Sequence, residues 1–303
     1  MSESLSVLVL AAGLGTRLRP YTDIIPKPLI PIVDKSILEH QVASCKKLRE
    51  KMPVEKLFVN AHHLADQIQE ASEAFGVDKV YVEHPQILGT GGPLHRVWKD
   101  GWKGELLVLN GDNFHGFDLA AFVLAARASE APFALLCVDF PNVDNLQIDV
   151  RGRVCGRDGK YSIGSAVRKQ TFSGVSWYGP GALSRILDSD FNVVDFWARE
   201  AHAGRFPLAY TEQSQATWID MGSPEGLYRA CEARLLELGV DRWVSPDIST
   251  GHFSTGAGTV ICEGAWIGDG AKLDHCIILP NARIEAGEVL SRIVAGAGFR
   301  WML

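Results

Sequence analysis

Residues 7–32 read VLVLAAGLGTRLRPYTDIIPKPLIPI, and this stretch decides the fold. Val7 to Leu10 is a short apolar run, β-branched in part, and reads as a fully buried strand. Ala11, Ala12, Gly13, Leu14, Gly15 and Thr16 follow as a small-residue loop. Side chains that small let backbone N–H groups approach an anion, and the glycines permit positive φ. Arg17 and Arg19 come at once, and Lys27 stands in a rigid Pro26-Lys27-Pro28 clip. Backbone donors followed by three fixed cations predict a polyphosphate cradle. Gly13 and Gly15 satisfy neither GxxxxGK[ST] nor a full GxGxxG, so the P-loop and dinucleotide fingerprints do not apply.

Downstream the chain alternates strand and helix. Ser36 caps a helix with Ile37, Leu38, Val42, Cys45, Leu48 and Met52 on one face, and Val54–Val59 reads as a second strand. His62 and His63 read as a turn and helix entry, since no second ligand pair has metal spacing. Val77–Val82 is a third strand, followed by the glycine loop EHPQILGTGGP over residues 83–93. Glu105–Leu109 is a fourth, ending in Asn110-Gly111-Asp112. This alternation predicts an α/β, Rossmann-like, mixed but mainly parallel sheet with helices on both faces. Ligands then collect at the carboxyl ends of the strands, where Asp112 suits a hard cation over a phosphate.

The opening stretch resembles that of the sugar-1-phosphate nucleotidyltransferases, LAAGxGTRLxPxTxxxPKPLxPV, at Leu10, Ala11, Ala12, Gly13, Gly15, Thr16, Arg17, Leu18, Pro20, Thr22, Pro26, Lys27, Pro28, Leu29 and Pro31. Within that family it is closest to the N-acetylmuramate-1-phosphate uridylyltransferase and mannose-1-phosphate guanylyltransferase branch. The resemblance implies a nucleoside triphosphate and a sugar 1-phosphate as partners and Mg2+ as cofactor. It makes Arg17 and Lys27 catalytic, and Leu10, Ala11, Ala12, Gly13, Gly15 and Thr16 nucleotide-binding. Gln86, Gly89, Thr90 and Gly91 become the base-side residues. Asp112 holds the metal, and Asp220, in TWIDMGSPE over residues 217–225, is the second metal ligand. Asn110, Lys169 and Gly174 fall on the sugar-phosphate side, the last two through SAVRKQTFSGVSWY over residues 165–178. Many relatives carry Glu-Lys-Pro there, with the Glu on a sugar hydroxyl, whereas this chain has Arg168-Lys169-Gln170.

The texture changes over residues 239–251, which are rich in turn residues. Beyond Thr259, apolar residues recur at Ile261, Ile267 and Leu273, then in a shifted register at Ile278, Ile284 and Leu290. This hexapeptide pattern predicts a short left-handed parallel β-helix with three six-residue sides per coil. The expected domains are therefore 1–240, catalytic, and 241–303, β-helix, with an exposed end coil suited to homo-oligomer formation.

The 303 residues carry a net charge of −6, which argues against nucleic acid as main partner, so any phosphate site is a local basic pocket. No run approaches a membrane span, and six cysteines without CxxC spacing read as buried thiols of a cytoplasmic protein. Three rival functions are a silent paralogue binding nucleotide-sugar, a cytidylyltransferase acting on a non-sugar phosphate, and a hexapeptide acyltransferase with His275 as base.

Overall fold

The computed structural model describes residues 4–140, 143, 145–211, 216–248 and 252–303; within the turn-rich stretch expected over 239–251, residues 249–251 lie outside those described. By contacts the chain divides into two compact units, Met1–Gly13 with Gln41–Trp218, and Leu14–His40 with Ile219–Leu303. The division groups the arginine loop and the proline clip with the tail, rather than with the whole of the first 240 residues.

The first unit is an α/β sheet of ten strands. These are β1 (Leu5–Leu10), β2 (Val54–Ala61), β3 (Lys79–Val82), β4 (Glu105–Asn110), β5 (Phe133–Val138), β6 (Leu146–Ile148), β7 (Val154–Arg157), β8 (Tyr161–Ser162), β9 (Arg168–Tyr178) and β10 (Leu208–Thr211). Their order is β8-β7-β6-β9-β4-β1-β2-β3, with β5 pairing β9 and β10. β1 runs parallel to both β2 and β4, in register from Leu5 opposite Glu105 to Leu10 opposite Asn110. β9 is antiparallel to β4, β5 and β6, so the sheet is mixed, as the alternation predicted.

Five helices connect these strands: α1 (Ile37–Lys51), α2 (Ala65–Phe75), α3 (Gly92–Lys99), α4 (Leu119–Ala128) and α5 (Val193–His202). Leu94 and Val97 of α3, with Val194, Phe196 and Trp197 of α5, close over Leu8, Leu106, Val108, Leu135 and Tyr178. Burying that apolar face is what fixes both helices. Trp197 is fully buried and satisfies its indole N–H on the Tyr178 hydroxyl at 3.1 Å. The start of α5 is fixed by Asn192, whose side chain accepts the Val194 N–H at 3.0 Å.

The second unit is built around α6 (Pro224–Leu238), capped by Ser223, whose hydroxyl accepts the Gly226 N–H, with Pro224 at its first position. Arg234 of α6 holds Asp34 through two hydrogen bonds of 2.7 and 2.8 Å, anchoring the hairpin of Pro31–Ile32 and Lys35–Ser36. The Tyr21 ring meets Phe299 with centroids 5.9 Å apart, so the segment before the proline clip also packs on the tail.

In the tail, short strands stack in parallel ladders. Val260 faces Ile277 and Ile277 faces Val294; Trp266 faces Arg283; Lys272 faces Val289. Ile261, Ile267, Leu273, Ile278, Ile284 and Leu290 are all buried, as the six-residue recurrence predicts. The coil length differs from the expected 18. These partners are 17 residues apart, and only Ser254 with Lys272 and Thr255 with Leu273 keep a spacing of 18. The cause lies at the corners. Positive φ recurs at Gly258, Gly264, Gly270, His275, Asn281, Gly287, Arg292 and Gly298, so one side of each coil is a residue shorter than the other two. The six cysteines are buried and free of disulfides.

α5 carries a buried acid test. Glu200 accepts hydrogen bonds from Arg205 at 2.7 and 2.8 Å and from Arg185 at 2.7 Å. Burial alone would raise its carboxyl, but the two guanidinium groups outweigh that and hold it below the ordinary value. The unfolded chain takes up this proton near pH ~4.3, while the folded chain does so only lower. The stabilisation is therefore complete above the unfolded value and is lost as pH falls through the folded one. Glu200→Gln should flatten the fall in thermal stability below about pH 5. A slope identical to that of the unsubstituted protein would show that this carboxylate is not the titrating group.

Candidate active site

The site in the first unit begins at the carboxyl ends of β1, β2 and β3. The Ala11 N–H, just past β1, donates to Asn60 Oδ1 at 2.7 Å, and Asn60 Nδ2 donates to Glu83 Oε1 at 2.7 Å. Glu83 Oε2 accepts the Leu88 N–H at 2.7 Å. Asn60 and Glu83 are 1% and 2% exposed, so a buried amide–carboxylate chain joins the first glycine loop to the second. His62, read as a turn, places its Nδ1 2.8 Å from the Glu83 carbonyl and is part of this junction.

The second loop is pinned from the other side. The Thr90 and Gly91 N–H groups both donate to the Phe191 carbonyl, at 2.9 and 3.1 Å, while Thr90 Oγ1 accepts the Val193 N–H at 3.0 Å. A Cβ at Gly89 would lie 2.1 Å from the Phe191 carbonyl oxygen, and one at Gly91 would lie 1.9 Å from that of Asp190. Both glycines are thus required by the approach of the 190–191 backbone, before any ligand is considered. Asp190 in turn takes two hydrogen bonds from Arg199 of α5, at 2.6 and 2.7 Å. Gln86 of the same loop is exposed.

At the tip of β4 a third close approach operates. The Gly111 N–H donates to the Leu10 carbonyl at 2.8 Å, and a Cβ there would sit 2.5 Å from that oxygen. The Asn-Gly-Asp order is therefore what lets the chain turn against β1 and leave Asp112 half-buried beyond the strand end. Gly174, at φ +88°, is explained the same way: a Cβ would meet Asn113 Nδ2 at 2.2 Å and Asn110 Cβ at 2.9 Å. The two asparagines by themselves account for a glycine at 174, and its sugar-side role stays an expectation. Lys169 is likewise committed elsewhere, its Nζ pairing with Asp158 Oδ2 at 2.5 Å on the exposed side of β9.

A cavity of about 220 Å³ opens beneath these tips, lined by Leu10, Thr90, Asn110, Arg157, Phe172 and Ser176, and floored by Tyr178, Asn192 and Trp197. It gathers Leu10, Thr90 and Asn110 from the predicted set and adds Arg157, which the sequence did not single out. The signal was there: an arginine one residue before Asp158, at the end of a strand on the sheet's antiparallel side.

The second unit contributes its own cluster. Gly15, at φ +62°, opens a 3-10 turn over Thr16–Leu18, and its carbonyl accepts both the Leu18 N–H and the Thr22 hydroxyl at 2.9 Å. A Cβ on Gly15 would lie 2.8 Å from Thr22 Cγ2 and 3.2 Å from Lys27 Cβ. The clip thereby folds Lys27 back on the loop, leaving the residue 7% exposed. Arg17 is exposed, and its guanidinium lies over Gly222, where a Cβ would fall 1.9 Å from Nη2. Asp220 Oδ1 accepts the Gly222 N–H at 2.8 Å, so the acid and the arginine flank one glycine. Asp112 belongs to the first unit and Asp220 to the second. Among the described residues no three His, Cys, Asp or Glu side chains form a metal cluster.

His275, the base of the acyltransferase alternative, is a corner residue at φ +52°. Its ring covers Gly258, a Cβ there lying 2.8 Å from His275 Cδ2, and packing accounts for it.

Comparison with known proteins agrees with this geometry. Residues 6–146 match the nucleotidyl transferase family. The chain is 29% identical over 241 residues to an N-acetylmuramate alpha-1-phosphate uridylyltransferase of Caulobacter vibrioides, covering 76% of this chain and 96% of that protein. It is 29% identical over 317 residues to a mannose-1-phosphate guanylyltransferase of Mycobacterium tuberculosis, covering 96% and 84%. A solved UDP-glucose pyrophosphorylase from Acinetobacter baumanii shares the fold, with a TM-score of 0.64 at 17% identity over 77% of this chain and 94% of that one. By these matches the chain is similar to nucleotidyltransferases named for acting on sugar 1-phosphates.

The Arg17–Gly222 contact yields a direct test. Alanine at 222 needs no unusual φ, and the obstructing atoms are the far end of a flexible side chain, so Gly222→Ala should leave the melting temperature nearly unchanged. It should displace Arg17 and lower kcat on the order of tenfold or more. Unchanged turnover in a well-folded Gly222→Ala protein would remove Arg17 from the machinery.

Proposed function

We propose that the protein joins a nucleoside triphosphate to a sugar 1-phosphate, giving a nucleotide-sugar and pyrophosphate. The observation that carries this reading is the tip of β4, where Gly111 turns against Leu10 and leaves Asn110 on the cavity and Asp112 half-buried beyond the strand end. Uridylyl or guanylyl transfer is favoured, because the two relatives at 29% identity are named for those reactions.

An oxygen of the sugar 1-phosphate attacks the α-phosphorus, and the bond to the pyrophosphate oxygen breaks. The attacking phosphate has a second pKa near ~6 and is already largely dianionic at neutral pH, so no general base is needed. The chemistry calls instead for alignment and charge neutralisation. In this reading the backbone of Gly13, Gly15 and Thr16 and the Arg17 guanidinium hold the β- and γ-phosphates and stabilise the departing charge. Lys27 neutralises the α-phosphate and the incoming phosphate. Ala11, Ala12, Gln86 and Thr90 serve the nucleotide, and Asn110 the sugar-phosphate side.

Enzymes of this family commonly use a divalent metal. Magnesium is the proposed ion and Asp112 and Asp220 the proposed ligands. When bound, it would neutralise phosphate charge as a Lewis acid. We read the 17-residue coils as a left-handed parallel β-helix, residues 1–240 as the catalytic segment, and the end coil as a homo-oligomer surface that light scattering after size exclusion would reveal. No helix among the described residues is long and apolar enough to cross a membrane.

The deciding experiment is pyrophosphate release from UTP, GTP, CTP, ATP and dTTP against a panel of sugar 1-phosphates. One or two pairs should turn over, and Asp112→Asn should lower kcat by about 10²-fold or more. Tight nucleotide-sugar binding with no pyrophosphate from any pair would favour the silent paralogue instead.

A further inference from the structure

Arg157 stands out in the cavity beneath the strand tips. It is half-buried, and among the described residues its guanidinium makes no hydrogen bond or ion pair, although its neighbours Asp158 and Lys169 pair with each other. The cavity lining contains no carboxylate. Burial pulls the guanidinium below its ordinary range while leaving it charged at neutral pH, and among the described residues the titratable side chain acting on it is Tyr161. A cation withdrawn from water without a partner is costly, so such a group marks where an anion is expected.

The register locates that anion. Arg157 pairs with Leu146, and Leu146 pairs with Gln170 on β9. Asn110 lies under Gly174, four residues further along β9 and hence about 13 Å away along the strand, while β7 lies two strands, about 9.5 Å, to the side. Arg157 therefore enters the cavity from the end opposite Asn110. A single 1-phosphate placed at the tip of β4 does not reach it, whereas a second acidic group across a hexose ring does.

Resting on the nucleotidyl-transfer reading, we propose that this enzyme takes an acidic sugar 1-phosphate, whose ring carries a carboxylate that Arg157 binds through its paired N–H donors. The remaining polar lining, Asn110, Thr90 and Ser176, suits ring hydroxyls, and Phe172 and Trp197 suit the apolar faces of the ring.

The test uses matched substrate pairs with the full-length protein: glucuronic acid 1-phosphate against glucose 1-phosphate, and N-acetylmuramic acid 1-phosphate against N-acetylglucosamine 1-phosphate. The acidic member of at least one pair should show a kcat/KM at least about tenfold higher. Arg157→Gln should erase that preference while leaving the neutral member within about twofold, and Arg157→Lys should restore part of it. Calorimetric binding of the same four compounds reads the preference even without turnover, so failure of nucleotidyl transfer is distinguishable from failure of acid recognition. Preference for the neutral member in both pairs overturns the proposal. So does an equal loss for acidic and neutral members in Arg157→Gln, which would assign the guanidinium to the 1-phosphate.

Discussion

The geometry of the first unit depends on one buried carboxylate. Glu83 is 2% exposed, ends the third parallel strand, and spends both oxygens on N–H donors, one from Asn60 and one from Leu88. Asn60 passes the tie on to the Ala11 N–H. Three strand tips and two glycine loops are therefore coupled through groups that cannot turn to water if one is lost. This fixes the start of the first glycine loop at Ala11 relative to the second loop at Leu88 to within hydrogen-bond tolerance. The clamp of Thr90 and Gly91 on Phe191 closes the second loop from the side of α5.

The opening strand, the glycine loop, the proline clip and the cap of α6 were legible because each rests on local chemistry. A buried apolar run, residues with free φ and a Ser-Pro helix start dictate their own backbones. The meaning of individual glycines was much less legible. Gly89, Gly91 and Gly174 are demanded by backbone or asparagine atoms contributed from far along the chain, at 190–191 and at 110–113. A sequence shows that a side chain is missing and does not show what occupies its place. The ion pair of Lys169 was hidden for a related reason, since its partner Asp158 becomes a neighbour only once β9 folds beside the β6–β7 hairpin.

The tail makes the same point through its period. The six-residue recurrence found the buried positions, and the apparent register shift between Leu273 and Ile278 was real: it is one short side of a coil, turned at His275. Glycine or asparagine marks most corners because positive φ is inexpensive there. His275 and Arg292 keep the same φ, one coil apart, under ladder pairings on either side. The non-glycine corners obscured the 17-residue repeat, and they also turn His275 from a tempting base into a structural bend.

Electrostatics connects the local site to an acidic whole. A protein of net charge −6 that handles polyanions must concentrate its cations, and the structure does so by isolating them from counter-charges. Most arginines of the first unit are matched: Arg127 with Glu105, Arg185 and Arg205 with Glu200, Arg199 with Asp190. These pairs hold elements together. Exposed Arg17 over its glycine and half-buried Arg157 in its cavity are among those that make no such pair. Where arginines are routinely paired, an unpaired one at a concave surface is the more informative charge. Its position at the far end of the cavity from Asn110 bears on the identity of the sugar more directly than the loop motifs, whose requirements are those of the common phosphate chemistry.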